Sequence, residues 1–251
     1  MKLTVLGSGN FIPRKNRSNP CYLLDIGIET IMLDCGSGSL HQFARADRSL
    51  WELRRIFFSH LHLDHIADFI PLLFTRKYLQ PNFPIQNLIF YAHPNFNSFY
   101  HELIELFSKW VVDERYSFEF QSLDTDCMKF NGYSMEIFQT AHTPESLILK
   151  FTENGKTFVY TGDTDLTETL ITSCRNVDCV LTELSSTDNE PSEGHLCPSK
   201  IVDLVRQAQP KRVLLTHISP QNDDNSNVAN EIQSTLSIPI QIVNDLDLFE
   251  I

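Results

Sequence analysis

The six residues HLHLDH at positions 60–65 constrain this chain more than any other stretch of its sequence. They bring three imidazoles and one carboxylate together, with no lysine or arginine among them. A lone histidine in an apolar context is more often a hydrogen-bonded core residue than a ligand. Three of them within six residues are costly to bury unless a metal ion satisfies them. Imidazole and carboxylate together suit zinc, iron or manganese better than calcium or magnesium.

The motif lies on a predicted turn from a strand to a helix. The run RIFF (55–58) predicts a short buried strand, and the run IADFIPLLF (66–74) predicts a mostly apolar helix. His60 and His62 are two residues apart, so in an extended stretch they point to the same side. Asp64 and His65 then point to a neighbouring position. Two adjacent pairs of ligands indicate two adjacent metal ions.

Three further residues with side chains that could bind a metal stand at isolated positions near the ends of predicted strands. An alternating stretch at 134–140 is followed by His142, and the strand before His217 ends at that residue. Asp163 follows a third strand in the sequence TGDT. An alternative interpretation stays open for Asp163, because an aspartate here could cap the helix predicted at 166–174.

Length and composition limit the class of protein. A chain of 251 residues with 42% hydrophobic residues is long enough for one large α/β domain or two small ones. Because no linker or repeat is evident, we expect a single domain over residues 1–251. No apolar run approaches the roughly 20 residues of a membrane span. The six cysteines form no C-x-x-C pair, which favours reduced thiols and a cytoplasmic location.

The net charge of −12 argues against a broad nucleic-acid interface, which would need a basic face. One compact basic loop, PRKNRSN at 13–19, nevertheless contains Lys15 and Arg17. It is either a solvated surface loop or a loop that contacts substrate phosphate beside the metals.

Taken together, these motifs resemble the metallo-β-lactamase superfamily of binuclear hydrolases, and most closely its ribonuclease Z-like branch. The resemblance spans the chain and depends on LGSG (6–9), LDCG (33–36), SHLHLDH (59–65), His142, GDT (162–164), Glu183, GH (194–195) and LTHI (215–218). It implies an α/β fold, the four-layer αββα sandwich, in which two mixed β-sheets are flanked by helices.

The resemblance also implies a role for each matching residue. One divalent metal ion would bind His60, His62, His142 and Asp163, and the second would bind Asp64, His65, Asp163 and His217. Zinc is the expected metal, with manganese or iron as alternatives. Asp34 would support the metal ligands from behind.

The same resemblance assigns the catalytic groups. Asp64 would orient or deprotonate the attacking water, and His195, held by Glu183, would protonate the leaving oxygen. Lys15 and Arg17 match the substrate loop of ribonuclease Z, although Ser18 stands where asparagine is expected.

One departure bears on the substrate. Ribonuclease Z carries a tRNA-gripping arm between the ligand histidine and the bridging aspartate, but here His142 and Asp163 are separated only by a predicted hairpin. We therefore expect a metal-dependent phosphodiesterase that acts on a small or cyclic phosphodiester or on an RNA 3′ end. We also expect a homodimer that does not bind membranes.

Two alternatives remain. A lactone or thioester hydrolase is opposed by the Glu183/His195 pair and by the short sequence after His217. A non-catalytic binding protein on the same fold is opposed by the complete set of ligands.

Overall fold

Two β-sheets face each other in the structure. The computed structural model describes residues 1–78, 86–115, 117–124, 126–225 and 227–251. The strands within these residues are β1 (Lys2–Gly7), β2 (Cys21–Ile26), β3 (Glu29–Leu33), β4 (Arg55–Phe57), β5 (Leu88–Ala92), β6 (Phe118–Ser122), β7 (Cys127–Lys129), β8 (Ser134–Gln139), β9 (Leu147–Glu153), β10 (Lys156–Tyr160), β11 (Cys179–Leu184), β12 (Val213–Ile218), β13 (Ile240–Ile242) and β14 (Leu248–Glu250).

Both sheets mix parallel and antiparallel strands. The first has the order β14-β1-β2-β3-β4-β5-β6, and the second has the order β13-β12-β11-β10-β9-β8-β7. Strands β3 to β6 are parallel to one another, as are β10 to β13, whereas the remaining pairs are antiparallel. This is the predicted sandwich of two mixed sheets.

Helices cover the outer face of each sheet. Within the described residues they are α1 (Ser39–Arg45), α2 (Leu63–Ile66), α3 (Phe69–Tyr78), α4 (Phe96–Val111), α5 (Glu168–Ser173), α6 (Pro198–Ala208), α7 (Pro220–Asp224) and α8 (Val228–Ser234). None of these helices is both long enough and apolar enough to cross a bilayer.

The apolar side chains of the described residues pack into clusters that follow these layers. One cluster joins the inner faces of the two sheets and includes Phe57, Phe151 and Leu181. A second packs α5, α6 and α8 against the second sheet, and a third packs α1, α3 and α4 against the first. Burial on both faces explains why the central parallel strands are almost continuously apolar.

The sheet topology brings distant residues to one edge. The carboxyl ends of parallel strands meet at the same edge of a sheet, and ligands commonly bind there. At this edge the two sheets are joined by the backbone N–H of Leu147, which donates to the Ser59 carbonyl at 2.8 Å. Where β1 and β12 end, Gly9 forms a β-bridge with Ile218, the residue after His217. The segments that carry the candidate ligands therefore converge.

The helix predicted at 66–74 is divided in the structure. Helix α2 ends at Ile66, and α3 begins at Phe69 and continues to Tyr78. Pro71 is the third residue of α3, where a missing N–H removes no intrahelical hydrogen bond. The sequence pattern could not show this break, because both short helices are apolar on the side that faces the sheet.

Candidate metal centre

One group of possible ligands surrounds the carboxylate of Asp163. The structure gathers His60, His62, His142 and Asp163 so that one ligand atom of each lies within 4.8 Å of the others. Nε2 of His60 and Nε2 of His142 are each 3.8 Å from Asp163 Oδ2. Nε2 of His142 is also 3.1 Å from Nδ1 of His62. The four side chains come from segments that are far apart in the sequence, from His60 to Asp163.

A second group lies on the other side of Asp163. Asp64, His65 and His217 form this cluster. Nε2 of His217 is 3.1 Å from Asp64 Oδ2 and 3.5 Å from Asp163 Oδ2, while Nε2 of His65 is 3.6 Å from Asp163 Oδ1. Asp163 therefore faces both groups.

The donor atoms of both groups fit metal ions. Zinc bonds to imidazole nitrogen are about 2.1 Å long, so neighbouring ligand atoms of a tetrahedral ion are roughly 3.4 Å apart. The separations of 3.1 to 3.8 Å between the nitrogens and carboxylate oxygens span this value. In addition, Nε2 of His60, Nε2 of His65 and Oδ1 of Asp163 are buried without a hydrogen-bond partner. Such atoms are costly to leave unsatisfied, and bound cations would satisfy all three.

Hydrogen bonds behind the rings hold the histidines in place. Nδ1 of His142 bonds to the carbonyl of Gly194 at 3.1 Å, and Nδ1 of His217 bonds to Oγ of Ser185 at 2.5 Å. Nδ1 of His65 bonds to Oδ2 of Asp34 at 2.7 Å. Each of these bonds leaves Nε2 directed at the centre, which is the usual arrangement behind metal-binding histidines.

Asp34 accepts several hydrogen bonds behind the candidate ligands. Its Oδ1 accepts the backbone N–H of Ser59 at 2.7 Å, and its Oδ2 also accepts the hydroxyls of Ser59 at 2.7 Å and Tyr160 at 2.5 Å. The side chain is fully buried. Asp34 and His217 both have positive φ angles, 56° and 49°, which are uncommon outside glycine. Such backbone conformations persist where the surroundings enforce them, often at functional sites.

The electrostatic environments of Asp163 and His60 agree with a cation site, whereas burial of His65 is outweighed by Asp163 and Asp34, which raise its pKa. Burial opposes ionisation of Asp163, but His217 and His65 outweigh it and hold the pKa of this carboxyl well below its ordinary value. Burial, helped by His65, lowers the pKa of His60 well below its usual range. A carboxylate and a neutral imidazole are the protonation states that bind metal.

The predicted pair Glu183 and His195 forms beside the metal ligands. Nδ1 of His195 lies 3.1 Å and 3.0 Å from the two carboxylate oxygens of Glu183. Burial lowers the pKa of His195, but the hydrogen bond and charge of Glu183 outweigh it and raise the pKa to about 9. The ring of His195 lies 4.7 Å from that of His142, measured between centroids. The Glu183–His195 pair thus lies at the rim of the centre.

The substrate-contact prediction for Arg17 needs correction. Its guanidinium is buried and donates to Oδ1 of Asp223 at 2.8 Å, Oγ of Ser8 at 2.6 Å and the carbonyl of Val243 at 2.7 Å. These bonds tie the basic loop to the C-terminal part of the chain, so the charge is not available to a substrate. Lys15, by contrast, is exposed.

Several supporting residues could not be recognised in the sequence. Ser185 and Tyr160 stand at strand ends. A serine or tyrosine at such a position does not indicate the hydrogen bonds that Ser185 makes with His217 and Tyr160 makes with Asp34. Gly36 offered a weak signal in the LDCG motif. A Cβ at Gly36 would lie 2.0 Å from the carbonyl oxygen of Asp64, so only glycine lets the HLHLDH turn pack this closely.

The sequence is similar to those of known proteins. A family model described as "Anti-Pycsar protein Apyc1" matches residues 1–236. The chain belongs to this family. Ribonuclease Z of Methanosarcina acetivorans is 23% identical over 280 residues, covering 89% of each chain.

This chain, a member of the Apyc1 family, has the same fold as several solved structures. The metallo-beta-lactamase fold protein YhfI of Bacillus subtilis is 24% identical and covers 99% of each chain with a TM-score of 0.80. The short form of human tRNase Z is 18% identical and has a TM-score of 0.79, covering 100% of this chain and 99% of its own. The predicted metallo-β-lactamase fold is therefore confirmed.

The relatives also bear on the predicted activity. Matches named ribonuclease Z, together with the metallo-hydrolase YhfI, confirm the expectation of a hydrolytic enzyme from the ribonuclease Z-like branch. Divalent metal use is a property of this fold family, and the histidine and aspartate clusters described above supply ligands for it.

Proposed function

We propose that this Apyc1 family member is a binuclear metal-dependent phosphodiesterase that acts on a small or cyclic phosphodiester. The observation that carries the proposal is the pair of ligand clusters on either side of Asp163, with the Glu183–His195 pair at their rim. Two adjacent cations suit displacement at phosphorus, because they can stabilise both the attacking and the leaving oxygen.

The proposed ligand sets follow the geometry. His60, His62, His142 and Asp163 hold one cation, and Asp64, His65, His217 and Asp163 hold the other. Four of these seven side chains are buried, namely His60, His65, Asp163 and His217. The mixture of imidazole and carboxylate favours zinc, with manganese or iron as the alternatives. When bound, such cations act as Lewis acids toward water and toward the phosphoryl oxygens.

The chain's own groups complete the chemistry. Asp64 accepts a hydrogen bond from the attacking water and so fixes its direction toward phosphorus. His195 donates a proton from Nε2 to the leaving oxygen, because Glu183 occupies its Nδ1 and keeps the ring protonated near neutral pH. Glu183 is itself fixed by the backbone N–H of Thr164, which donates to Oε1 at 2.8 Å.

The surroundings of the site favour a small substrate. Between His142 and Asp163 the described chain contains the hairpin of β9 and β10, which turns at Asn154 and Gly155, with φ angles of 50° and 78°. No tRNA-gripping arm lies within this described segment. The net charge of −12 also disfavours a long polyanion. Lys15, on the exposed basic loop, is the proposed contact for the substrate phosphate.

The proposal is tested by a hydrolysis panel with metal analysis. Protein loaded with zinc or manganese is assayed on bis-p-nitrophenyl phosphate, cyclic mononucleotides, a pre-tRNA and a set of lactones and thioesters. We expect phosphodiester turnover with preference for the small substrates. Preferred hydrolysis of lactones would establish the alternative reaction, and preferred cleavage of pre-tRNA would overturn the proposed substrate class. The absence of all these activities in metal-loaded protein would favour a binding protein.

Three further predictions accompany the proposal. We propose that residues 1–251 act as one domain, because side chains of both sheets share one apolar cluster. We also propose a homodimer and a cytoplasmic location, the latter because the described cysteines are all free thiols.

A further inference from the structure

Lys200 occupies an unfavourable position for a lysine. It is the third residue of α6, in the first turn, where the helix dipole favours acidic side chains and disfavours cations. The first turn of α6 contains no acidic residue. A residue that breaks a local rule is often retained for a role elsewhere in the fold.

The ammonium group of Lys200 links two loops of the candidate metal centre. Nζ donates to Oδ1 of Asp165 at 2.5 Å and to the carbonyl of His195 at 3.0 Å. Asp165 lies two residues after Asp163, in the loop that follows β10. The lysine therefore holds the backbone of the proton-donating histidine against the loop that carries the bridging aspartate.

Asp165 extends the link to a third loop. Its Oδ2 accepts the backbone N–H of Gly194 at 3.3 Å, and its own N–H donates to the carbonyl of Ala141 at 3.2 Å. The carbonyl of Gly194 in turn accepts from Nδ1 of His142 at 3.1 Å. One ion pair thus connects the segments that carry Asp163, His195 and His142.

Gly194 shows how closely these loops are packed. It has a φ of +77°, and a Cβ at this position would lie 3.0 Å from Nδ1 of His142. Because the backbone at 194 comes this near to the ring, small displacements of the loop are transmitted to both histidines. The Asp165–Lys200 ion pair is one of the polar contacts that limit such displacement.

We propose that Lys200 and Asp165 are positioning residues that fix the Gly194–His195 segment over the metal centre. This inference rests on the proposed function, since it assumes that His195 donates a proton during turnover. Lys200 touches neither substrate nor cation in this account. It acts through the backbone of His195, whose ring must lie within a fraction of an ångström of its working position.

The test uses Lys200→Met with Lys200→Arg and Asp165→Asn as companions. The matched control is Lys211→Met, which removes another lysine–aspartate pair, to Asp178 at 2.8 Å, outside the candidate centre. For Lys200→Met we expect kcat on bis-p-nitrophenyl phosphate to fall about 10–100-fold, with KM within twofold of the wild type. Lys200→Arg should restore much of the loss, and Lys211→Met should match the wild type.

Two further readouts separate positioning from general damage. Metal content should stay at the wild-type level, and amide hydrogen exchange should accelerate in the peptide that spans residues 191–197. In a His195→Ala background, Lys200→Met should cause no further loss of kcat, because residues that act as a unit are not additive. Fully multiplicative losses, or a Lys200→Met enzyme as active as Lys211→Met, would overturn the inference.

If Lys200→Met does not fold, Asp165→Asn answers the same question. Asp165→Asn removes the charge that Lys200 pairs with, and we expect it to lower kcat to a similar extent with metal content unchanged. An Asp165→Asn enzyme with wild-type kcat and wild-type exchange at 191–197 would contradict the inference. Failure of the proposed function is distinguishable, since the wild type itself would then be inactive on phosphodiesters.

Discussion

Replacing Asp34 by asparagine gives a direct test of the support behind the metal ligands. Asparagine has the same shape and tolerates the positive φ of 56° at this position, so the substitution changes chemistry without forcing the backbone to move. The carboxylate accepts four hydrogen bonds, one through Oδ1 and three through Oδ2. An amide has one oxygen, so its NH₂ group must face at least one donor.

The size of the effect follows from that count. The least damaging orientation places NH₂ opposite the backbone N–H of Ser59 and keeps three acceptor bonds, now to a neutral oxygen. A buried hydrogen bond to a charged group is worth about 1.5–3 kcal/mol, and an unsatisfied buried donor costs about 1–3 kcal/mol. We therefore expect Asp34→Asn to lower the free energy of unfolding of the metal-free protein by about 2–4 kcal/mol. Because His65 loses its charged partner, metal affinity should fall roughly 10–100-fold.

The assay is urea denaturation in the presence of a chelator, followed by metal titration against a competing chelator. Asp25→Asn is the matched control. Asp25 lies on β2, at the end away from Asp34, where it pairs with Arg48 and is 31% exposed. That substitution should cost less than about 1 kcal/mol and leave metal affinity unchanged. An Asp34→Asn protein that unfolds within about 0.5 kcal/mol of the wild type and binds metal equally well would refute the reasoning.

Other predictions concern the remaining groups of the site. His195→Ala should lower kcat by roughly 10²–10⁴ with unchanged metal content, and normal turnover would remove this residue from the mechanism. Glu183→Gln removes the charge that raises the pKa of His195 to about 9. The protonated donor exists below its pKa and is lost above it, so the basic limb of the kcat profile should move to lower pH; an unmoved limb would contradict this. Arg17→Met should destabilise the fold by about 1–3 kcal/mol in denaturation, because it removes the buried hydrogen bonds to Ser8 and the Val243 carbonyl, whereas Asp223 keeps its pair with Arg14. Lys15→Met should leave stability within about 0.5 kcal/mol and raise KM for phosphodiesters; an unchanged KM would argue against a phosphate contact.

The metal-ligand candidates could be recognised in the sequence because of where they occur. Asp163 follows β10 and His217 lies near the end of β12, and parallel topology brings these two positions to one edge. His142 follows β8, which runs in the same direction as β10 because both are antiparallel to β9. The HLHLDH motif adds a density of ligands that a core cannot bury unpaired. The structure brings these side chains together, with separations suited to two cations. Local pattern was sufficient for the HLHLDH motif, whereas the resemblance to a known family was needed to select His142, Asp163 and His217 as ligands.

Arg17 shows what a local pattern cannot reveal. A basic loop in the sequence suggests a charge for the substrate, but the partner of Arg17 is Asp223, which is 206 positions away. The same limit applies to the bond between Ser185 and His217 and to the contact of Lys200 with Asp165. Serine, lysine and aspartate are common on surfaces, so their role depends on a tertiary contact that no sequence period encodes.

The number and positions of bound metal ions test directly whether Asp163 lies between two cations. Purified protein is stripped with a chelator, reloaded with zinc or manganese, and measured by elemental analysis together with anomalous diffraction from crystals of the loaded protein. We predict two ions per chain, one within the His60, His62 and His142 cluster and one beside Asp64, His65 and His217, with Asp163 contacting both. Folded protein that cannot be loaded, or ions bound away from Asp163, would contradict this prediction.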